Sequence, residues 1–307
     1  MRTRIHVLLF TLASSLPVIA AHSIDPAARE SSSPGSIVHG GVERTYRIYT
    51  PSGNGPFPVV FVLHGLRGDG KGMERYTQFT KLAAKENFIV VYPDGLDRKW
   101  NDRSYKAGST DDVGFISALL DYIASTHTID PARVYVTGAS NGGMMANRLA
   151  CDIGNRFAAI APVIAGIPYL VQRQSRSASA MSILLINGTD DPLVPFGGSS
   201  TGRSRVSIVT ALQTVDFWVA KNGCATTPTV TLLPDTDPSD GTRIERSIYT
   251  PGAPGAEVVF YAVQGGGHTW PGAPIQYLPA GLIGKTSQDI DATEVIWQFF
   301  KKHALPQ

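Results

Sequence analysis

The sequence predicts an α/β protein in which a mostly parallel sheet carries helices on both faces. Short apolar runs, of the kind that form strands buried on both faces, alternate with amphipathic segments along most of the chain. The clearest of these runs are 58–63, 88–92, 134–138, 157–163, 182–187 and 258–263. Such alternation is typical of crossover connections, and ligand sites then lie beyond the carboxyl ends of the strands.

The composition agrees with a folded domain. Of the 307 residues, 43% are hydrophobic and 17% are charged, which provides for a sizeable core and argues against disorder. The formal net charge of +2 gives no reason to expect nucleic acid or an acidic surface as a partner. The two cysteines and seven histidines form no close cluster in the sequence, so binding of a metal by thiolates is not indicated.

Residues 1–21 have the features of a secretory signal peptide. Arg2 and Arg4 form a short positive region, and the apolar stretch 7–20 that follows is shorter than the ~20 residues of a membrane span. The alternative is a single N-terminal anchor helix, which the short length and Pro17 disfavour. We therefore expect a protein exported to the periplasm or the medium, with no membrane contact after cleavage.

The small and polar residues 22–36 predict a flexible tail ahead of a single catalytic domain at 37–307. Two β-rich runs around Gly40-Gly41 predict that this domain begins with a hairpin over 37–49. Apolar residues at helical spacing predict helices farther along the chain. These helices are expected at 73–86, from Asp111 or Asp112 to His127, and at 141–150, 206–221 and 291–303, with a peripheral hairpin at 229–233 and 244–249.

The functional prediction begins with the stretch 134–148. A β-branched run passes into Gly138-Ala-Ser140-Asn-Gly142 and then into a helix-forming segment. A Gly-x-Ser-x-Gly pattern between strand and helix is typical of a nucleophile elbow, a strained turn that holds a serine oxygen above the end of a sheet. The glycines are expected where the strand and helix backbones pass closely. The pentapeptide also occurs by chance, so its interpretation depends on partners elsewhere.

Two later strands end in residues that could activate Ser140. The strand 182–187 is followed by Asp190 and Asp191, and the strand 258–263 is followed by His268. A serine is a weak nucleophile until a base such as histidine takes its proton, and the imidazolium then needs a carboxylate beside it. The order Ser, Asp, His along the chain is the order found in α/β hydrolases.

Either of the adjacent aspartates could supply this carboxylate, and their side chains are expected to point apart. Acid loops of this kind usually read Gly-x-x-Asp-x-x-Val-Pro. Counting from Gly188 to Val194-Pro195 favours Asp191. Asp190 is then expected to be a solvated or capping residue.

Backbone N–H groups are expected to stabilise the oxyanion of a tetrahedral intermediate. One donor should be Asn141, at the start of the helix after the serine, and the other should be Leu66, in the loop after His64-Gly65. His64 is expected to support this loop by hydrogen bonding rather than to transfer protons. Trp270 and Trp100 are candidate substrate contacts, with the alternative that they only cover the core.

With these residues identified, the chain resembles the secreted poly(3-hydroxybutyrate) depolymerase-like and feruloyl esterase-like branch of the α/β-hydrolase family. The matching segments are LHG at 63–65, VVYPDGLDRKWND at 90–102, DDVGF at 111–115, VYVTGASNGGMMANRLAC at 134–151, RFAAIAPV at 156–163, GTDDPLVPF at 188–196, FWVAKNGC at 217–224, GGGHTWPG at 265–272 and SQDIDATEVIWQFF at 287–300. The resemblance implies the α/β-hydrolase fold and a triad of Ser140, Asp191 and His268. It also implies a small or polymeric carboxylic ester as substrate, and no metal or cofactor.

The chain departs from this family in its cysteines. The resemblance implies further cysteines that pair with those matching Cys151 and Cys224, but the segments 167–175 and 247–252 contain none. We therefore expect free thiols at both positions, with a bridge between Cys151 and Cys224 as the alternative.

The leading prediction is a secreted serine esterase that forms an acyl-enzyme on Ser140. Its substrate would be a feruloyl (hydroxycinnamoyl) ester of plant cell-wall sugars or a poly- or oligo(3-hydroxybutyrate) ester. The alternatives are an amide or peptide hydrolase with the same triad, and a non-catalytic binding protein on a hydrolase fold. An intact triad argues against the second alternative, although the fold alone does not decide it.

Overall fold

The structure is a computed structural model that describes residues 31–175, 180–197, 208–252 and 255–306. The predicted signal peptide at 1–21 and residues 22–30 of the predicted tail lie outside the described residues. The strands are β1 (Ser33–His39), β2 (Val42–Tyr49), β3 (Phe57–Leu63), β4 (Ile89–Pro93), β5 (Ile129–Ala139), β6 (Ala159–Val163), β7 (Ser182–Gly188), β8 (Thr229–Leu232), β9 (Arg243–Tyr249) and β10 (Val258–Gln264).

The helices lie between these strands and after the last of them. They are α1 (Gly70–Thr77), α2 (Phe79–Glu86), α3 (Asp112–Thr126), α4 (Asn141–Ile153), α5 (Tyr169–Gln174), α6 (Ala211–Asn222), α7 (Ala280–Ile283) and α8 (Ala292–Phe300). None of the helices in the described part of the chain is long and apolar enough to span a bilayer.

All of these strands belong to one sheet, in the order β1-β2-β4-β3-β5-β6-β7-β10-β9-β8. The six central strands from β4 to β10 run parallel, while β1 and β2 at one edge and β9 and β8 at the other pair antiparallel. The sheet confirms the predicted α/β-hydrolase fold, mostly parallel at its centre. The carboxyl ends of β3, β5, β7 and β10 therefore lie along one edge, where the predicted site residues follow them.

Helices cover both faces of the sheet, as predicted. Successive residues of β3 alternate between two hydrophobic clusters, with Val59 and Phe61 in one and Val60 and Val62 in the other. The first cluster also contains side chains of α3, α4 and α6, and the second contains side chains of α1, α2 and α8. Because both faces are covered, every residue of β3 is buried, which explains its continuous apolar run.

The predicted flexible tail is wrong for residues 33–36, which belong to β1. This strand pairs antiparallel with β2 from Ser33 opposite Ile48 to His39 opposite Val42. Main-chain hydrogen bonds form such a ladder without apolar side chains, so small and polar residues gave no sign of it. The strand lies at the sheet edge, which is where a proline such as Pro34 is tolerated.

The single helix predicted at 73–86 is two helices in the structure. Gln78 adopts a left-handed conformation, with φ of 57°, and separates α1 from α2. Its main-chain N–H closes α1 by donating to the carbonyl oxygen of Glu74. Both helices place apolar residues in the same cluster, so the apolar spacing in the sequence did not reveal the break.

Cys151 and Cys224 are both free and buried, as expected from the missing partner cysteines. Burial raises the pKa of the Cys151 thiol to about 11, so this thiol is protonated at neutral pH. No disulfide therefore links distant parts of the chain, and α4 and α6 are held in place by packing and by hydrogen bonds such as that from Trp218 Nε1 to Asn147 Oδ1.

Candidate active site

Ser140 lies in a strained turn between β5 and α4. Its φ of 54° and ψ of −117° are outside the regions that residues with a side chain normally occupy. A Cβ added to Gly142 would lie 2.3 Å from the carbonyl oxygen of Leu63, so only glycine fits there. Ser140 is also the N-cap residue of α4, yet its side chain makes no capping hydrogen bond. Its hydroxyl is thus not used to complete the helix.

Asp191 is held in a single orientation at the end of β7. One carboxylate oxygen, Oδ1, accepts hydrogen bonds from the N–H groups of Leu193 and Val194, both at 2.8 Å. The other oxygen, Oδ2, lies 2.7 Å from Nδ1 of His268. Only 1% of the Asp191 side chain is exposed, compared with 10% of the His268 side chain. The imidazole is therefore fixed through Nδ1, and Nε2 is left to face a different partner.

The neighbouring carboxylate of Asp190 points elsewhere. Its residue is exposed, and its Oδ1 accepts a hydrogen bond from the Thr189 hydroxyl at 2.9 Å. The main-chain N–H of Asp190 donates to the carbonyl oxygen of Gly266 at 2.9 Å. Of the two aspartates considered from the sequence, Asp191 is the one in contact with His268.

The loop that carries His268 is tied down on two sides. On one side, Gly188 passes so closely that an added Cβ would lie 2.3 Å from the carbonyl oxygen of Gly266. On the other side, the N–H groups of His268 and Gly267 donate to the carbonyl oxygens of Ile283 and Lys285. The sequence did not predict that the segment 279–285 supports this loop. The one feature that could have indicated it is the apolar Ile283, which is buried in the structure.

The loop after β3 passes directly beside the serine. A Cβ added to Gly65 would lie 3.7 Å from Cβ of Ser140. Within the described residues, no hydrogen bond joins the Ser140 hydroxyl to His268. Hydrogen bonds between a nucleophile and its base are often long before substrate binds, so the absence of this bond does not argue against a catalytic pair.

One predicted oxyanion donor, Asn141, directly follows Ser140, and the other, Leu66, directly follows Gly65, which lies beside Ser140. Asn141 is the first residue of α4, and an N–H group in the first turn of a helix has no intrahelical acceptor. Leu66 follows Gly65, and 62% of the residue is exposed. Neither N–H group has an acceptor among the described residues, so both are available to a ligand.

His64 is a buried structural residue, as its position before the loop suggested. Its Nε2 accepts a hydrogen bond from the N–H of Gly95 at 2.9 Å, and its Nδ1 lies 2.8 Å from the carbonyl oxygen of Gly65. Nδ1 therefore carries the proton and Nε2 the lone pair. Burial lowers the pKa of His64 below its ordinary value, which keeps the ring neutral.

The prediction that Trp270 and Trp100 contact substrate does not agree with their burial. Trp270 is 1% exposed, and its indole N–H donates to the Thr293 hydroxyl at 3.1 Å. Trp100 is 3% exposed, and its indole N–H donates to the carbonyl oxygen of His64 at 2.9 Å. Both rings belong to the interior because each has found an acceptor there, which the sequence could not show.

The model of the family described as esterase PHB depolymerase matches residues 44–218, more than half of the chain. The chain belongs to this family. The matched range contains Ser140 and Asp191, while His268 lies beyond it.

Two curated relatives extend the likeness over most of the chain. NocK of Nocardia uniformis subsp. tsuyamanensis, a protein named as an esterase, is 30% identical over 292 residues, which cover 89% of this chain and 84% of NocK. Feruloyl esterase D of Neurospora crassa is 26% identical over an alignment that covers 98% of both chains. This member of the esterase PHB depolymerase family is a carboxylic ester hydrolase.

A solved structure supports the fold of this esterase independently. Acetyl xylan esterase from Aspergillus awamori superimposes with a TM-score of 0.60 and 18% sequence identity. The match covers 88% of this chain and 99% of that one. At this identity the likeness shows a shared fold and no more.

The lowered pKa of His64 predicts a pH dependence of stability. Below about 6.5, the ordinary histidine value, the unfolded chain binds a proton that the folded His64 does not. The contribution of His64 to stability is therefore present above that pH and is lost as pH falls towards the lower folded pKa. A His64→Gln variant keeps an acceptor that can reach the Gly95 N–H but does not titrate.

Urea unfolding of the wild type and of H64Q between pH 5 and pH 8 measures this effect. We expect the stability advantage of the wild type to be largest at pH 8 and to shrink as the pH is lowered. A difference that stays constant over this range would contradict the neutral state of His64.

Proposed function

We propose that the protein hydrolyses carboxylic esters through an acyl-enzyme formed on Ser140. The contact of 2.7 Å between Asp191 and His268 carries this proposal, because it fixes a histidine at the sheet edge on which the strained Ser140 also lies. A free serine hydroxyl, a histidine base and a buried carboxylate are the three groups that acyl transfer requires.

In the first half of the reaction, Ser140 Oγ attacks the ester carbonyl carbon while His268 Nε2 takes the hydroxyl proton. The C=O π electrons move to oxygen, and the N–H groups of Leu66 and Asn141 donate hydrogen bonds to that oxyanion. Asp191 holds the Nδ1 proton of His268 and stabilises the imidazolium. His268 then gives its proton to the leaving alkoxide oxygen, the C–O bond of the ester breaks, and the acyl group stays on Ser140.

In the second half, water replaces the alcohol as the nucleophile. His268 takes a proton from water as its oxygen attacks the acyl carbon, and the same two N–H groups bind the second oxyanion. The bond to Ser140 Oγ breaks, His268 returns the proton to the serine oxygen, and the carboxylic acid leaves. The helix dipole of α4 adds a partial positive charge near the oxyanion in both halves.

The acyl group is proposed to be a hydroxycinnamoyl, as in feruloyl esters, or a 3-hydroxybutyryl unit of an oligomer or polymer. The relative named feruloyl esterase D, aligned over 98% of both chains, supports the first. The description of the matched family, esterase PHB depolymerase, supports the second. The same proposal includes export, supported by the signal-peptide features of residues 1–21, and N-terminal sequencing of protein from the periplasm or medium tests it.

The acyl-enzyme predicts a burst of p-nitrophenol when the enzyme reacts with p-nitrophenyl acetate, followed by slower steady turnover. Labelling by a fluorophosphonate should modify Ser140, and Ser140→Ala should abolish both the burst and the label. Labelling at another residue would contradict the proposal. Turnover of a matched amide as fast as the ester would favour the alternative amide hydrolase.

The contact geometry predicts unequal roles for the two adjacent aspartates. Asp191→Asn should lower kcat by about 10⁴-fold, because an amide cannot hold the Nδ1 proton and stabilise the imidazolium in the same way. Asp190→Asn, a matched change one residue away on an exposed side chain, should leave kcat nearly unchanged. Equal losses in the two variants, measured with p-nitrophenyl acetate, would show that Asp191 is not the acid.

A direct comparison of substrates identifies the acyl group that the enzyme prefers. Turnover of methyl ferulate, a 3-hydroxybutyrate oligomer and p-nitrophenyl acetate should be measured side by side at the same enzyme concentration. The acetate has an activated leaving group and therefore serves only to show that the preparation is active. We expect kcat/KM for one of the first two to exceed that for the other by about tenfold or more, since a fitted acyl group adds binding energy in the transition state. Enzyme that hydrolyses the acetate but turns over neither methyl ferulate nor the oligomer would contradict both substrate assignments.

A further inference from the structure

Trp100 is hydrogen-bonded to both loops that carry the proposed oxyanion donors. Its indole Nε1 donates to the carbonyl oxygen of His64 at 2.9 Å, in the residue before Gly65. Its main-chain N–H donates to Oδ1 of Asn141 at 2.7 Å, and Nδ2 of Asn141 donates back to the Trp100 carbonyl oxygen at 3.1 Å. One residue thus connects the loop after β3 with the first residue of α4.

These contacts are shielded from water. Trp100 is 3% exposed, Asn141 is 7% exposed and His64 is 1% exposed. Hydrogen bonds in such surroundings are stronger than at the surface, and each broken one leaves a buried polar group without a partner. Both polar atoms of the Asn141 side chain bond to Trp100, although this asparagine directly follows the serine.

Two further contacts join the segment 95–100 to His64. The N–H of Gly95 donates to His64 Nε2, and the rings of His64 and Trp100 lie 4.9 Å apart between centroids. The segment 95–100 therefore contacts the loop after β3 through both of its ends. We call this segment the brace.

The brace is itself anchored to a buried ion pair. The N–H of Asn101, the residue after Trp100, donates to Asp112 Oδ2 at 2.7 Å. The other oxygen of Asp112 accepts from Arg44 at 2.7 Å, and these two side chains are 0% and 2% exposed. This anchor connects the brace to β2 and to the start of α3, so the brace is also held by contacts outside the site loops.

We propose that Trp100 is a positioning residue that sets the spacing between the N–H groups of Leu66 and Asn141. Asn141 then has two roles: its main-chain N–H donates to the oxyanion, and its side chain bonds to Trp100. The inference rests on the proposed function, because it requires that these N–H groups bind the oxyanion. The oxyanion exists only after attack, so loosening the brace should lower kcat and leave KM little changed.

The test is Trp100→Phe, which removes the indole N–H and keeps a ring against His64. We expect kcat to fall by about 10- to 100-fold, less than or similar to the loss of a whole donor, because the N–H groups remain but are displaced. Rates are normalised to the amount of Ser140 that a fluorophosphonate titrates, so that partial unfolding does not count as lost catalysis.

The matched control is Trp218→Phe. Trp218 is also buried, at 0% exposure, and its Nε1 donates to Asn147 Oδ1 at 3.0 Å on the same helix that follows the serine. This variant loses the same kind of bond to α4 without touching either oxyanion loop. We expect it to lower the free energy of unfolding as W100F does, and to leave the normalised kcat unchanged.

A second variant, Asn141→Ala, keeps the main-chain N–H and removes both side-chain bonds to Trp100. We expect a similar fall in kcat, and the double variant with W100F should lose less than the product of the two single losses, because both act through one brace. A trifluoromethyl ketone, whose adduct on Ser140 carries an oxyanion, should bind more weakly by the same factor as kcat falls. If W100F does not fold, N141A is judged by these same criteria.

The inference is overturned if W100F and N141A keep the wild-type kcat, or if W218F loses as much as W100F. It is also overturned if KM rises while kcat stays constant, since that result would make Trp100 a substrate contact. If a fluorophosphonate fails to label Ser140 in the wild type, the proposed function is wrong and this inference falls with it. Labelling together with an unchanged kcat would overturn this inference alone.

Discussion

The site depends on how closely the main chain of the serine turn passes the end of β3. At Gly142 an added Cβ would lie 2.3 Å from the Leu63 carbonyl oxygen and 2.6 Å from that of His64. A side chain there would push α4 away from β3, and with it the Asn141 N–H away from the loop that carries Leu66. The strain at Ser140 and the two glycines around it follow from this one approach, because the chain must turn within a single residue.

A buried carboxylate is the second requirement, and the chain surrounds it with donors. Asp191 receives two main-chain N–H groups on one oxygen and His268 on the other, which compensates much of the cost of its burial. The close approach of Gly188 to Gly266 then sets the distance between the loops that carry the two residues. Acid and base are therefore positioned mainly by backbone contacts between two neighbouring parallel strands.

Much of this arrangement could be predicted from the sequence, because each catalytic candidate directly follows an apolar run. Parallel strands bring their carboxyl ends to one edge of the sheet. Because Ser140, Asp191 and His268 each follow such a strand, the sequence alone predicts that they lie at this edge. The choice of Asp191 over Asp190 depended on spacing within one loop, and the structure places Asp191 against His268.

The parts that could not be predicted depend on hydrogen bonds and backbone conformations that hydrophobic spacing does not encode. Trp100 and Trp270 were candidate substrate contacts, with burial in the core as the alternative. The sequence around an aromatic residue near a catalytic loop is the same whether the ring faces a pocket or the core. The acceptors that hold their indoles, the His64 carbonyl oxygen and the Thr293 hydroxyl, are 36 and 23 residues away. The strand at 33–36 and the left-handed Gln78 were missed for a similar reason, since neither leaves a mark on hydrophobic spacing.

The two unpaired cysteines also determine how the chain can reach this structure. Cys151 and Cys224 are the only cysteines in the sequence, and both are buried as thiols. The native state contains no disulfide, so forming it consumes no oxidant and requires no enzyme that exchanges disulfides. A reductant has no cross-link to cleave in this fold, so the same native structure is compatible with reducing and with oxidising surroundings.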